Sequence, residues 1–97
     1  MRSFRELSEE EQYVLCALYR IVGHKIGKKP HHAPIGEIMK KLVPSLRDST
    51  IIKKSLKSLK KKELIRKVKT GGEKTSWTLT KEGAHLASRG CPVLWEG

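Results

Sequence analysis

The chain has 97 residues, which is enough for one domain with one hydrophobic core. Its 21 lysines and arginines outnumber 10 aspartates and glutamates, and the net charge of +11 favours a polyanionic partner. No apolar run approaches the roughly 20 residues that cross a bilayer, and a charged stretch stands where a secretory signal would be apolar. We therefore expect a cytoplasmic protein.

The first predicted element is a helix that begins near Ser8. Residues 8–11 read Ser-Glu-Glu-Glu, a capping-box pattern whose acidic residues suit the positive end of a helix dipole. Apolar residues then recur at three- and four-residue steps, at Val14, Leu15, Leu18, Ile21 and Val22. We expect the helix to end near Gly23 and residues 24–34, which lack apolar periodicity, to form a polar loop.

Two further helices are predicted on either side of Pro44. The first begins at Pro34 and is short, with Ile35, Ile38, Met39 and Leu42 on its inner face. Asp48 or Ser49 can cap the next helix, the third, which we expect to start near Ser49 or Thr50. Its apolar residues fall at i, i+4 and i+7, a narrow stripe that points inward, at Ile52, Leu56 and Leu59.

The third helix and the segment after it carry most of the excess charge. Residues 53–69 hold nine lysines and arginines against Glu63 alone. Such a run is ordinarily a solvated face, but here the polar side chains gather opposite the apolar stripe. The residues predicted on that outer face are Thr50, Lys53, Lys54, Lys57 and Lys61.

A β-hairpin and a fourth helix complete the predicted elements. Residues 64–69 and 74–79 flank a turn with two glycines. Strand alternation predicts that Trp77 and Leu79 face the helices and that Lys74, Ser76 and Thr78 face solvent. Thr80 can cap the last helix, which we expect to end near Gly90, before an apolar tail.

The order of elements predicts an α+β fold, a winged helix-turn-helix with a three-helix core, a two-stranded wing and a C-terminal helix. The run Asp48–Ile65, the basic hairpin and the sequence Leu-Thr-Lys-Glu-Gly at 79–83 resemble MarR-type transcriptional regulators over about residues 35–87. The chain departs from that pattern at Glu63, where the family usually has glycine. We expect one winged-helix domain over 1–97, with its core at about 8–89 and an apolar tail at 90–97.

The resemblance implies a transcriptional regulator that binds duplex DNA with the third helix in the major groove and the wing on the backbone. Hydroxyl groups or backbone amides at the helix start would lie near a phosphate. The expected DNA-binding residues are Ser49, Thr50, Lys53, Lys54, Lys57 and Lys61 on the helix and Lys69 and Lys74 on the wing. This face has no Arg, Asn or Gln for bidentate base contacts, so we expect considerable non-specific affinity.

Other functional classes remain open on the sequence. The basic helix could instead dock an acidic protein or structured RNA. The apolar residues Val93–Trp95 favour a protein contact, and with Phe4 and Leu7 they could form a homodimer through the chain termini.

The side chains that catalysis or metal binding would need form no known motif in this sequence. The candidates are His24, His31, His32, His85, Cys16 and Cys91. No Cys-x-x-Cys, His-Glu-x-x-His or phosphate-binding glycine loop is present, so we expect no enzyme, no metal and no cofactor. Cys16 and Cys91 are too few for a disulfide framework, and we expect both to be reduced thiols.

Overall fold

Four α-helices and a small antiparallel sheet make up the described part of the chain. The computed structural model describes residues 3–22, 33–42, 44–69 and 75–96, with only the backbone described for 92–96. The elements are a 3-10 turn at Phe4–Glu6, α1 at Glu9–Val22, β1 at Ala33–Pro34, α2 at Ile35–Lys40, a 3-10 turn at Pro44–Leu46, α3 at Ser49–Lys61, β2 at Ile65–Lys69, β3 at Thr75–Leu79 and α4 at Lys81–Glu96. This order confirms the predicted α+β winged-helix arrangement. None of the helices in these ranges is long and apolar enough to span a membrane.

The capping box predicted at the start of α1 is present. The Glu11 N–H donates to Ser8 Oγ at 3.2 Å, and the Ser8 N–H donates to Glu11 Oε1 at 3.0 Å. The two residues therefore satisfy two backbone groups that a helix end would otherwise leave unpaired. The predicted loop that follows α1 lies outside the described residues up to His32.

The core is formed where α3 packs against α1 and its neighbours. Ile52, Leu56 and Leu59 are fully buried, as the spacing of the apolar residues predicts. Each lies among α1 core residues such as Leu15 and Leu18 in one apolar cluster. Truncating one of these α3 side chains to alanine would leave a cavity that costs about 2–5 kcal/mol.

The sheet has three strands rather than the two that were predicted. Its order is β1-β3-β2, and β1 places Pro34 opposite Ser76. The expectation that Ser76 faces solvent is wrong: Ser76 is buried, and it lies between Pro34 of β1 and Val68 of β2 in the sheet register. Leu79 is buried as expected, and Trp77 is half-buried against the core.

A tight turn connects α3 to β2 and gives Glu63 an unusual conformation. The Glu63 N–H donates to Lys60 O at 2.9 Å, and the Leu64 N–H donates to Leu59 O at 3.1 Å. These two hydrogen bonds form a Schellman motif at the end of the helix. The motif requires a left-handed backbone conformation at the first of the two donor residues. Glu63 adopts it with φ 62°. Glycine takes this conformation most easily, which accounts for the family preference at this position.

The Leu-Thr-x-x-Gly sequence joins α4 to that turn. The Thr80 N–H donates to Leu64 O at 3.1 Å, and the Gly83 N–H donates to Thr80 Oγ1 at 3.0 Å. Thr80 thus caps α4, as predicted. A Cβ atom at Gly83 would overlap the Leu64 carbonyl oxygen. Glycine is needed here because the α4 backbone passes directly over Leu64, in the turn between α3 and β2.

Two expectations about the C-terminal helix are wrong. α4 does not end near Gly90 but continues to Glu96. Gly90 is an internal helical residue that allows close approach, since a Cβ there would overlap the Phe4 ring. Cys16 and Cys91 are not reduced thiols: they form a disulfide. Packing of α1 against α4 brings two residues that are 75 positions apart to a Cα–Cα distance of 5.6 Å.

Candidate nucleic-acid interface

The start of α3 is capped by Asp48. Its Oδ1 accepts from the Thr50 N–H at 2.8 Å and from the Ile51 N–H at 3.4 Å. These amides are therefore already bound by a carboxylate, which also offsets the positive end of the helix dipole. Ser49 and Thr50 themselves are exposed residues with side-chain hydroxyls. Any phosphate contact at this helix end would use those hydroxyls rather than the capped amides.

One face of α3 is exposed along its whole length. The predicted residues on this face, Ser49, Thr50, Lys53, Lys54, Lys57 and Lys61, are all exposed. The buried residues Ile52, Leu56 and Leu59 lie on the opposite side of the helix. None of the four lysines forms an ion pair within the described ranges. The structure therefore brings the predicted helix residues together as one continuous cationic surface.

The flank of α3 that faces α1 is held by a buried carboxylate. Glu11 Oε2 accepts from Ser58 Oγ at 2.9 Å and from Lys62 Nζ at 2.7 Å. Burial alone would raise the pKa of the Glu11 carboxyl, but hydrogen bonds from Lys62, Ser8 and Ser58 together lower it below its ordinary value. Lys62 is thus engaged in the fold, and α3 is fixed to the capped end of α1.

The opposite flank of α3 borders an open cleft beside β2. The cleft has a volume of about 870 Å³ and is lined by Lys60, Arg66, Lys67 and Lys69, together with Glu63, Ile65 and Thr80. Lys69 was predicted as a wing contact and is exposed at the end of β2. The other three cations were not predicted as site residues. The only signal for them was the charge run at 53–69, which does not tell which members share a cleft.

The remaining candidate residues lie elsewhere. Lys74, the second predicted wing contact, and His24, His31 and His32 are outside the described residues. His85 is exposed on α4. In the ranges that the structure describes, no group of three or more His, Cys, Asp or Glu side chains could hold a metal ion.

Solved structures of two bacterial proteins, MepR and ZitR, are similar to this chain. MepR, a transcription regulator of the Staphylococcus aureus multidrug efflux pump MepA, has a TM-score of 0.68 and 20% identity, over 95% of this chain and 61% of that one. MepR from the S. aureus MepR–DNA complex has a TM-score of 0.68 and 18% identity, over 94% and 60%. A mutant of Lactococcus lactis ZitR has a TM-score of 0.66 and 18% identity, over 99% and 58%.

The chain spans about three fifths of the length of these proteins. No protein-family model matches it, and no curated protein matches its sequence. At identities of 20% and below, the likeness concerns the fold. The fold is that of a winged helix-turn-helix resembling the MarR-type transcription regulators.

Proposed function

We propose that the protein is a transcriptional regulator that binds duplex DNA through the exposed face of α3. The observation that carries the proposal is the row of exposed lysines opposite the buried stripe of the helix, at positions 53, 54, 57 and 61, none of which forms an ion pair with a described residue. An α-helix is about 10–12 Å across with its side chains, and the major groove is about 12 Å wide. The helix can therefore enter the groove with its polar face toward the bases.

Each part of the surface has a distinct role in this proposal. The lysines neutralise phosphates, the hydroxyls of Ser49 and Thr50 bind the backbone near the helix start, and Lys69 and Lys74 bind it from the wing. Lysine is a flexible point charge, and α3 has no Arg, Asn or Gln that could contact a base through two hydrogen bonds. A large non-specific component of the affinity follows from this composition.

The similarity to DNA-binding regulators supports the proposal at the level of the fold. MepR has been solved in complex with DNA, and its fold matches this chain over 94% of the chain's length. Winged helices also bind RNA and proteins, so the fold alone does not determine the partner. The partner must be tested directly.

Charge reversal on the exposed face tests the proposal. The variant K54E/K57E should lose duplex binding in fluorescence anisotropy, because two phosphate contacts become repulsive. If about five phosphates are neutralised, the parent's log K should fall with log salt at a slope of about −4 to −5. The matched control K81E/R89E makes the same charge change at exposed positions of α4 and should bind nearly as the parent does.

Two outcomes would contradict the proposal. One is a folded K54E/K57E protein that binds duplex DNA as tightly as the parent. The other is a parent that prefers duplex RNA or an acidic protein in competition with duplex DNA. Unfolding midpoints of all variants show whether a loss of binding reflects a loss of structure.

We also propose a homodimer through the chain termini, because DNA sites with two-fold symmetry are bound by two copies of a regulator. Leu7 is buried in the protein's own core and Phe4 packs against it. The proposal therefore rests on the apolar sequence Val93–Trp95 at the end of α4. Sedimentation velocity over a concentration series tests it, and a monomer on a palindromic duplex would overturn it.

We further propose that the protein acts in the cytoplasm and that it binds DNA without catalysing a reaction. The charged face of α3 needs access to chromosomal DNA. Disulfides are rare in the cytosol of most organisms but common in intracellular proteins of hyperthermophiles. The buried Cys16–Cys91 bond is therefore compatible with this location in that setting. The test is to quench cells with acid, denature the protein and titrate its free thiols. The absence of free thiols would show that the disulfide exists in the cytoplasm.

A further inference from the structure

The open cleft beside β2 is the second strongly basic feature of the described surface. Of the charged side chains that line it, four are cations and one, Glu63, is an acid. None of the four cations forms an ion pair with a described residue. Unpaired positive charges around an open concavity favour an anionic occupant.

The cleft lies beside, not on, the face of α3 that would enter the major groove. At 3.6 residues per turn, Lys60 is roughly a quarter turn from the centre of the outer face, on the same flank as Lys53. A helix in a groove turns its flanks toward the two groove walls, and those walls are the phosphate backbones. The β2 flank would therefore meet one backbone.

The two flanks of α3 differ in charge. On the α1 side, a cavity of about 350 Å³ is lined by Glu10 and Glu11 together with Lys54. Lys62 forms an ion pair with Glu11, so this pair offers no net positive charge to a phosphate. Charge complementarity thus favours the β2 flank over the α1 flank as the place where a phosphate backbone lies.

We propose that one sugar-phosphate strand of the bound duplex runs through the cleft between α3 and β2, with Lys60 and Arg66 as phosphate contacts beyond the predicted set. This inference rests on the proposed function and specifies which flank of α3 follows the backbone. Arginine and lysine at an open cleft can contact phosphate without distortion of the fold, since both side chains are exposed.

Glu63 acts against this contact. It is the one carboxylate among the described residues that line the cleft, and it is exposed beside the four cations. Removal of its charge should therefore strengthen binding. A gain of affinity is informative here because general damage to the protein would produce a loss.

The test compares three variants with the parent in duplex-binding titrations over a salt series. K60Q/R66Q should bind roughly 10-fold to 100-fold more weakly at 0.1 M salt, with a salt slope less steep by about 2. Glu63→Gln should bind about two- to three-fold more tightly at low salt, an advantage that fades as salt screens it. K81Q/R89Q, which removes the same two residue types from α4, should match the parent to within about two-fold.

Failure of this inference is distinguishable from failure of the proposed function. If K60Q/R66Q binds as the control does while K54E/K57E loses binding, the cleft proposal is overturned and the function stands. If K54E/K57E also binds as the parent does, both are overturned. None of the substituted side chains is buried, so we expect parent and variants to have equal unfolding midpoints. Equal midpoints would exclude loss of structure as the cause of a change in binding.

Discussion

Lys60 and Lys62 stand two residues apart on α3, and their surroundings are opposite. Lys62 is 26% exposed, and its Nζ lies 2.7 Å from the Glu11 carboxylate in the packed flank against α1. Lys60 is exposed at the open cleft beside β2 and has no ion-pair partner among the described residues. The comparison shows that a lysine count measures the available charge only after structural lysines are set aside.

The largest effect is expected for the disulfide that joins α4 to α1, the helix whose Glu11 holds one flank of α3. The variant C16A/C91A should lower the free energy of unfolding by about 4 kcal/mol, since the disulfide closes a loop of 75 residues in the unfolded chain. Urea unfolding of the parent and the variant measures this difference. A reductant should destabilise the parent toward the variant and leave the variant unchanged.

The same variant separates fold stability from the binding surface. At a temperature where it is fully folded, its duplex affinity should equal that of the parent, because Cys16 and Cys91 are buried away from the exposed face of α3. A parent that is indifferent to reductant, or a folded variant with weakened binding, would contradict this separation.

The direct test of the comparison exchanges each lysine for glutamine. Lys62→Gln should lower the free energy of unfolding by about 2 kcal/mol, because it leaves the buried Glu11 carboxylate without a cation. The cost is smaller than that of breaking a fully buried ion pair because Lys62 is partly exposed. Lys60→Gln should change it by less than about 0.5 kcal/mol. Chemical denaturation measures both.

Duplex binding should reverse this order. Lys60→Gln should weaken binding and flatten the salt slope by about 1, whereas Lys62→Gln should leave the slope unchanged in the folded protein. If both substitutions have the same effect on stability, or the same effect on binding, the distinction between the two flanks is wrong.

The flank of α3 that Glu11 holds should also respond to acid. The pKa of Glu11 is lowered from its ordinary value of 4.5, so the unfolded chain binds a proton more readily than the folded one. The stability that Glu11 contributes is therefore present above pH 4.5 and is lost as the pH falls through its folded pKa. Unfolding free energies over a pH series should decline less steeply below that point for Glu11→Gln than for the parent.

Ser58→Ala is the intermediate case. It removes one hydrogen bond to the Glu11 carboxylate and leaves Lys62 in place. Its acid decline should fall between those of the parent and Glu11→Gln. Identical acid declines for all three proteins would show that this carboxylate does not couple the two helices.

The sequence predicted the exposed face of α3 well and its flanks poorly, for a physical reason. The face follows from the period of one helix, since Ile52, Leu56 and Leu59 define the buried side and the lysines fall opposite. The flanks depend on what packs beside the helix. The Glu11–Lys62 contact joins residues 51 positions apart, and no local pattern indicates it.

The same limit explains the incorrect expectations elsewhere. A two-residue strand such as Ala33–Pro34 has no periodicity, yet it pairs with β3 and places Pro34 beside the buried Ser76. The disulfide depends on the packing of α1 against α4, whereas the reduced state was inferred from cysteine number and compartment. By contrast, the caps at Ser8 and Thr80 are local and were predicted, and Asp48 was one of the two candidates for the cap of α3.

The smallest expected effect concerns Glu63, which lies in the turn between α3 and β2 and lines the open cleft. Glu63→Gly should raise the free energy of unfolding by about 0.5–1 kcal/mol, because glycine adopts the left-handed conformation at φ 62° with less strain. Glu63→Gln keeps that strain and should not change stability, although both substitutions remove the same charge from the cleft. Stability should therefore distinguish glycine from glutamine while duplex affinity at low salt rises for both, and a gain in stability with glutamine would mean that charge rather than backbone conformation limits this turn.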